Sequence, residues 1–236
     1  MFPFRLPFSA TKVRIAGNTL AQFLGKAIGA GTTFVVTILI AQRLGADGYG
    51  DFSKIATFVA FFFLIGDFGL NAVYLQKDRE ENWWPALFTL RLLVGIFLVF
   101  LAVAILAFIP QGTNQGYTAV VRLGIILFAP AILFQGVITS TNAVFAQRLQ
   151  FDRATIAIVF GSVATLTSVG FLVWIGSTST LGMTIATLVG TGVTAAAGLW
   201  LVRKFIPNLS PVFDFKKLTA LFMPAIPLGV TLMVNL

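Results

Sequence analysis

The chain of 236 residues contains no cysteine and no histidine. Without thiols it has no disulfide and no thiolate nucleophile, and without imidazole it lacks the commonest general base and a frequent metal ligand. We therefore expect no bound metal and no cofactor. Charged residues are scarce as well, at 10% of the chain, whereas an ordinary soluble domain carries about 25%. This deficit excludes a typical water-soluble domain.

Catalytic and nucleotide-binding patterns are also missing from the sequence. It has no nucleophile beside a base, no pair of carboxylates suited to acid–base catalysis and no glycine-rich phosphate loop. The net charge of +8 is spread over short connecting segments, which argues against nucleic acid as a partner. We predict that the chain is not an enzyme and hydrolyses no ATP.

What the chain does have is apolar sequence, with 58% hydrophobic residues and a mean hydropathy of +0.94. A hydrocarbon core is crossed by about 20 apolar helical residues, and only helices or closed barrels satisfy their backbone there. The apolar runs are too long and too continuous for the alternating strands of a barrel. We predict an all-α polytopic membrane helix bundle with spans over residues 15–41, 55–75, 84–109, 117–146, 154–175, 181–202 and 218–236.

These spans divide the chain into three parts. Residues 1–202 form a six-span lobe, residues 203–217 form a cytoplasmic interfacial linker, and residues 218–236 form a seventh span that begins a second lobe. Because the chain ends within or just after the seventh span, we expect either a truncated sequence or a half-protein. In both cases its partner is a missing C-terminal lobe, and membrane lipid surrounds it.

The basic residues between the spans fall almost entirely on alternate sides of the membrane. Cytoplasmic loops carry an excess of Lys and Arg, so we predict a cytoplasmic N-terminus and insertion in the inner (plasma) membrane. The opposite side has only Arg43 and Lys54, next to Asp47 and Asp51. The residues assigned to the cytoplasmic side are Arg5, Lys12, Arg14, Lys77, Arg79, Arg148, Arg153, Arg203, Lys204, Lys216 and Lys217.

The first span carries a stripe of polar residues on one helical face. Asn18, Gln22 and Lys26 follow one another at intervals of four residues, and Thr33 and Thr37 continue the face. Lys26 lies roughly 15 Å deep, where a lysine is expected to face a protein interior or a water-filled cavity. If the helix begins later, Lys26 reaches the headgroups instead. We predict that the stripe lines a cavity.

Asp67 is the only acidic residue well inside a span, and Asn71 follows it by one turn. Its depth of roughly 13 Å is close to that of Arg91 in the third span and of Lys26. Because a lone buried carboxylate is costly, we predict that Asp67 pairs with Arg91 or Lys26. Two roles remain open for Asp67: it ties helices together, or it binds and releases a coupling proton or sodium ion.

The fourth and sixth spans add further polar positions. Arg122 lies near the outer end of the fourth span, where it either reaches the headgroups or forms an outer anion site. Gln135 begins a polar stripe further along this helix, and Pro130 predicts a kink before it. Threonines that recur on one face of the sixth span are typical of helix packing. Cationic positions inside the spans favour an anionic substrate.

Four segments resemble motifs of polysaccharide flippases, in the same order along the chain. LGADGYG at 44–50 resembles their LG-x-x-x-YG loop, and DFGL at 67–70 resembles the D-x-G-L that ends their second span. RLQFDR at 148–153 is similar to their basic loop before the fifth span, and PVFDFK at 211–216 to their entry into the seventh. These flippases belong to the multidrug/oligosaccharidyl-lipid/polysaccharide exporter (MOP) superfamily.

The resemblance implies two six-helix lobes around a central cavity. It also implies that the protein flips undecaprenyl-diphosphate-linked oligosaccharide across the inner membrane by alternating access, for polysaccharide biosynthesis. Lys26, Arg91 and Arg122 are then the residues of this chain that bind the diphosphate or acidic sugars. One lobe supplies only half of such a cavity.

Three alternatives remain. A cation-coupled multidrug exporter of the same superfamily would favour acidic cavity residues, and only Asp67 supports it. A membrane polysaccharide polymerase or ligase would carry a large outer loop with catalytic basic residues, whereas the outer loops here are short and nearly uncharged. An inactive fragment or scaffold is the third alternative.

Overall fold

The described part of the protein is built from helices and their connections. The computed structural model describes residues 8–78, 81–112, 117–206 and 209–234, and these residues contain no β-strand. The predicted fold class, an all-α membrane helix bundle, is therefore confirmed. The helices are α1 (Phe8–Asp67), α2 (Leu70–Gln76), α3 (Trp84–Leu106), α4 (Ala119–Phe128), α5 (Pro130–Gln147), α6 (Phe151–Trp174), α7 (Thr180–Val202) and α8 (Phe215–Val234).

The first two predicted spans belong to one helical element that turns at Gly45. A straight helix as long as α1 would measure about 90 Å, three times the hydrocarbon thickness. Gly45 adopts φ 70° and ψ −173°, which a residue with a side chain rarely does, and it separates a first arm (8–44) from a second arm (46–67). The two arms pack together in an apolar cluster that includes Ile40 and Phe52. Helix thus replaces the predicted loop, because a single residue makes the turn.

Two of the predicted spans, the second and the fourth, are not continuous helices. The second span breaks at Phe68 and Gly69, whose φ angles are 24° and 75°, and α2 begins directly after them. The fourth span divides at Pro130, the first residue of α5, since proline lacks the N–H that a continuous helix requires. Ala129 between the two parts keeps helical angles, φ −52° and ψ −35°, so the kink at Pro130 stays a prediction.

The described helices include five segments that are long and apolar enough to cross a membrane. The first of them turns at Gly45 and so provides two crossings. Large apolar side chains such as Phe23, Phe97 and Phe100 are exposed on the bundle, and lipid chains are the natural cover for such a surface. The protein is a multi-pass membrane protein. Because α8 is not among these segments, the seventh span stays a prediction. The five segments are Gly17–Gln76, Trp84–Leu106, Ala119–Gln147, Phe151–Trp174 and Thr180–Val202.

One end of the bundle collects most of the basic residues. At this end α2 leads into α3, α5 into α6 and α7 into α8, and the connections touch: Gln147 Nε2 donates to the carbonyl oxygen of Lys77 at 3.3 Å. Arg5 and Arg79, assigned to the same side, lie outside the described residues. Which end faces the cytoplasm stays a prediction. We call this end, with its described residues Lys77, Arg148, Arg153, Arg203, Lys204, Lys216 and Lys217, the basic end.

The apolar core is divided between the two ends. At the basic end, Trp84, Phe145 and Leu221 are fully buried and join α3, α5 and α8. Towards the opposite end, Phe62 and Ile125 belong to a second cluster that joins the second arm of α1 to α3 and α4. The space between α1, α6 and α7 is filled less completely, and it holds the cavity described below.

Two glycines set the contact between α6 and α7. A Cβ on Gly161 would lie 2.9 Å from the carbonyl oxygen of Gly190 and collide with Thr194, and a Cβ on Gly190 would lie 3.1 Å from the carbonyl oxygen of Gly161 and collide with Thr165. The two backbones therefore touch directly, as small residues permit in membranes. This contact confirms that part of the threonine face of the sixth span serves helix packing.

Replacing Gly190 with alanine should force α6 and α7 apart, because the new methyl group meets backbone as well as Thr165. We expect Gly190→Ala to lower the free energy of unfolding by about 1–3 kcal/mol, measured as thermal unfolding of the purified chain in detergent. Gly170→Ala is the matched control on α6, since a Cβ there meets nothing within 4 Å. Equal melting temperatures for the two variants would contradict the close contact.

Candidate functional site

A cavity of about 700 Å³ lies between both arms of α1 and helices α5, α6 and α7. None of the described residues that line it carries a charge. Aromatic rings, among them Tyr49 and Phe63, form part of the wall, and most other side chains are small. Hydroxyl groups dominate the polar part of the wall, contributed by Thr32, Thr33, Thr37, Ser53, Thr57, Ser162, Thr165, Thr187, Thr191 and Thr194.

The hydroxyl groups are held in place by their own helices. Thr165 donates to the carbonyl oxygen of Gly161 at 2.9 Å, and Thr191 donates to that of Thr187 at 3.1 Å. A hydroxyl that donates its proton within the helix keeps lone pairs that accept from another molecule. The wall therefore presents hydrogen-bond acceptors to whatever occupies the cavity.

The polar stripe of the first span divides between two surfaces. Thr33 and Thr37 line the cavity, as predicted. Asn18 does not, because its Oδ1 accepts from the backbone N–H of Phe151 at 3.4 Å and so holds the start of α6. Gln22 is exposed and lines none of the described cavities.

Lys26 is exposed and contributes to no described cavity wall. It lies seven residues before Thr33, which is two turns along the same face of the helix. Lys26 thus stands in line with the cavity wall, beyond its N-terminal edge at Gly29. The structure does not bring Lys26 and Arg91 together.

Arg91 is buried between helices, with a side chain that is 2% exposed. Its Nη2 donates to Asp67 Oδ1 at 2.7 Å and to Asn71 Oδ1 at 2.8 Å, and its Nη1 donates to Thr139 Oγ1. The predicted pairing of Asp67 is confirmed, and its partner is Arg91. The guanidinium thereby joins α3 to the end of α1, to α2 and to α5.

The Arg91 cluster lies beside the main cavity but is separate from it. Gln135, one of the predicted cavity residues, lines both the main cavity and a much smaller one around Asp67 and Arg91. Asp67 keeps 48% of its side chain exposed, so the carboxylate is reachable while the guanidinium is not. That Arg91 binds the cargo stays a prediction; the structure places its side chain at the smaller cavity, where Asp67 neutralises its charge.

Arg122 serves the fold rather than a cavity in the described structure. It is half-buried, and its Nη1 donates to the carbonyl oxygen of Ile109 at 3.1 Å, just beyond the end of α3. This bond ties the start of α4 to α3. Arg122 lines neither of the two cavities, and its part in binding the cargo stays a prediction.

Arg43 has a role that the sequence did not reveal. Its Nε donates to the carbonyl oxygen of Ser177 at 3.1 Å, in the turn after α6 where Gly176 adopts φ 79°. The bond fastens the end of the first arm of α1, just before Gly45, to the turn that follows α6. Because 134 residues separate the partners, no local pattern could have indicated the contact.

The described residues hold no group of three or more carboxylates, histidines or cysteines placed to bind a metal ion. The polar features of the lobe are therefore the hydroxyl-lined cavity and the buried Arg91 cluster.

Residues 15–236 match the family described as "Polysaccharide biosynthesis protein". The chain belongs to this family. Among curated proteins, none matches the chain.

Two solved structures share the fold of this family member. One is a MOP superfamily transporter from Pyrococcus furiosus, for which the reverse polarity of the binding pocket suggests a different function; it is 16% identical over 92% of this chain, with a TM-score of 0.66. The other is a multidrug resistance MATE family transporter of the same superfamily in an outward-facing conformation, 13% identical over 94% of this chain, with a TM-score of 0.59. The chain spans 52% and 53% of the length of these proteins. The observed bundle is thus the MOP fold over about half of its length.

The two partners of the buried ion pair should differ in their effect on stability. In Asp67→Asn, Arg91 stays buried without its counter-charge, and we expect a loss of about 3–5 kcal/mol. In Arg91→Gln, the half-exposed Asp67 is solvated by water, so we expect a clearly smaller loss. Thermal unfolding of both variants in detergent measures the difference. The double variant, which leaves no charge behind, should recover much of the loss, and equal effects of the single variants would contradict the assigned burial.

Proposed function

We propose that this family member moves a lipid-linked oligosaccharide, carried on undecaprenyl diphosphate, from the cytoplasmic to the outer leaflet of the inner membrane. The observation that carries the proposal is the neutral, hydroxyl-lined cavity in a chain that belongs to a polysaccharide biosynthesis family. Flippase activity also agrees with the MOP fold.

The chemistry of the wall suits a glycan. Sugar hydroxyls are donors as well as acceptors, and the threonine and serine oxygens accept from them without any net charge. A volume of about 700 Å³ lies within the range of sites that hold small ligands, roughly 300–1,000 Å³. A wall of short side chains also binds different sugars weakly and releases them, as translocation requires.

Lys26 supplies the positive charge for the diphosphate in this proposal. It is the exposed lysine in line with Thr33 and the cavity wall, and an ammonium group is a common partner of phosphate. Arg91 takes no part in holding the cargo, because Asp67 neutralises it within the fold.

Alternating access requires a second wall. The described lobe opens its cavity on one side, and a C-terminal lobe that packs against α1 and α7 is the proposed partner. The two lobes would then rock around the cargo, with the N-terminus on the cytoplasmic side.

A cation-coupled multidrug exporter is the second candidate, and the exposed half of Asp67 is the observation that favours it. A proton or sodium ion that binds Asp67 would release Arg91 and loosen four helical elements. Against this candidate, the described cavity wall contains no carboxylate that would attract a cationic drug.

If Asp67 serves only the fold, the double variant Asp67→Asn/Arg91→Gln still supports transport, whereas a coupling role makes it inactive.

Neutralising Lys26 should slow the movement of the cargo without affecting membrane insertion. We expect Lys26→Gln, introduced into the chromosomal copy, to reduce surface glycan by about tenfold, the effect of losing one charge-assisted contact of 1.5 kcal/mol or slightly more. Lipid-linked oligosaccharide should accumulate in the membrane in parallel. Blots of surface glycan and mass spectrometry of extracted lipids measure the two quantities.

Lys54→Gln is the matched control for this experiment. It makes the same charge change on the second arm of α1, at a lysine whose neighbour Asp51 lies 3.8 Å away, and we expect surface glycan close to wild type. Equal glycan levels in the two variants would show that Lys26 does not bind the cargo. If deletion of the gene leaves surface glycan unchanged while cells that carry the gene export a cationic dye, the drug exporter is favoured.

A further inference from the structure

A tryptophan at the basic end is contacted by two lysines from different parts of the chain. Lys77 Nζ lies 4.7 Å from the centroid of the Trp83 ring, and Lys217 Nζ lies 5.3 Å from it. Lys77 directly follows α2, Trp83 directly precedes α3, and Lys217 lies in the first turn of α8. The ring is therefore a meeting point of the six-span lobe and α8.

The three side chains are held by their surroundings. The carbonyl oxygen of Lys77 accepts from Gln147. On the other side, Val212 donates its backbone N–H to Thr89 Oγ1 of α3 at 3.0 Å, and Asp214 Oδ1 accepts from the backbone N–H of Lys217 at 3.3 Å. These bonds fix the start of α8 against α3 and thereby hold Lys217 beside Trp83.

The arrangement brings two positive charges to one ring, although Asp214, whose Oδ1 accepts from the backbone of α8, lies beside Lys217. Since each ammonium group lies about 5 Å from the same centroid, the two are no more than about 10 Å apart, a distance comparable with the screening length of about 8–10 Å. Among the described residues neither lysine forms an ion pair. The indole Nε1 of Trp83 is buried and has no hydrogen-bond partner. The surroundings of the ring thus offer an indole N–H donor that has no partner, together with two ammonium groups.

The neighbouring ring repeats the arrangement. Arg148 Cζ and Arg153 Cζ lie 5.1 Å and 4.7 Å from the centroid of Phe205. Aromatic rings that carry cations at the edge of a membrane bundle sit at the level of the lipid headgroups. The ligand chemistry that satisfies donors and positive charge at this level is the phosphate of a lipid.

We propose that Lys77, Trp83 and Lys217 form a binding site for the phosphate of an anionic phospholipid headgroup, which bridges the six-span lobe and α8. The two lysines bind the phosphate from two sides, and the indole holds both ammonium groups in place through cation–π contacts. An anionic lipid thereby stabilises the junction at which the chain passes from one lobe towards the next. This inference stands independently of the cargo proposed above.

Native mass spectrometry of the purified full chain tests the site, with phosphatidylglycerol as the probe and phosphatidylcholine as the neutral lipid. We expect wild type to retain phosphatidylglycerol in preference to phosphatidylcholine. The double variant Lys77→Gln/Lys217→Gln should bind it at least about tenfold more weakly, since each lysine near an anionic lipid contributes roughly a fivefold effect.

A matched control separates this site from general surface charge. Lys204→Gln/Lys216→Gln removes two exposed lysines from the same end, changes the net charge equally and leaves the Trp83 ring untouched. We expect it to retain phosphatidylglycerol nearly as wild type does. Equal losses in the two double variants, or no preference of wild type for phosphatidylglycerol, would overturn the proposal. Displacement of the lipid by millimolar inorganic phosphate would make the site one for soluble anions and overturn the lipid assignment.

Discussion

The burial of one guanidinium group constrains this lobe more than any other interaction. An unpaired charge in the interior costs several kcal/mol, so Arg91 of α3 has to be met by polar groups from its neighbours. Asp67 at the end of α1, Asn71 in α2 and Thr139 in α5 meet it. The break in the helix at Phe68 and Gly69 lies between two of these partners, and so the ion pair and the interruption of the second span form one structural unit.

This constraint explains why the cavity is neutral. The arginines inside the lobe are used by the fold: Arg91 by its ion pair, Arg122 by the carbonyl oxygen of Ile109 and Arg43 by that of Ser177. The cavity is left with a wall of hydroxyl groups and small side chains. Gly161 and Gly190, where the backbones of α6 and α7 meet, are part of this wall. A neutral wall of this kind suits uncharged sugars, and under the proposed function Lys26 supplies the charge at its edge.

The sequence predicted the positions of the helices better than the directions in which their polar side chains point. Long apolar runs and residue depth were enough to predict the helices and the pairing of Asp67, because a membrane fixes length and penalises unpaired charge. They could not show that Asn18 faces α6 or that Arg91 lines the smaller cavity rather than the main one, since those directions depend on which helices are neighbours. The sequence predicts a loop around Gly45, because a chain reversal usually takes several polar residues, whereas here a single glycine with a positive φ angle makes the turn.

The most direct test of the neutral, water-accessible cavity uses the absence of cysteine from the chain. A single cysteine at Ser162, in the cavity wall, is labelled in membranes with small thiol reagents of opposite charge, and Ser140→Cys in the fully buried interior of α5 serves as the control. We predict that Ser162→Cys reacts with both reagents in the ratio shown by a free thiol in solution, while Ser140→Cys does not react. A cationic wall would instead favour the anionic reagent by about tenfold or more, the effect of 1.4 kcal/mol. That result, or an unreactive Ser162→Cys, would contradict the account.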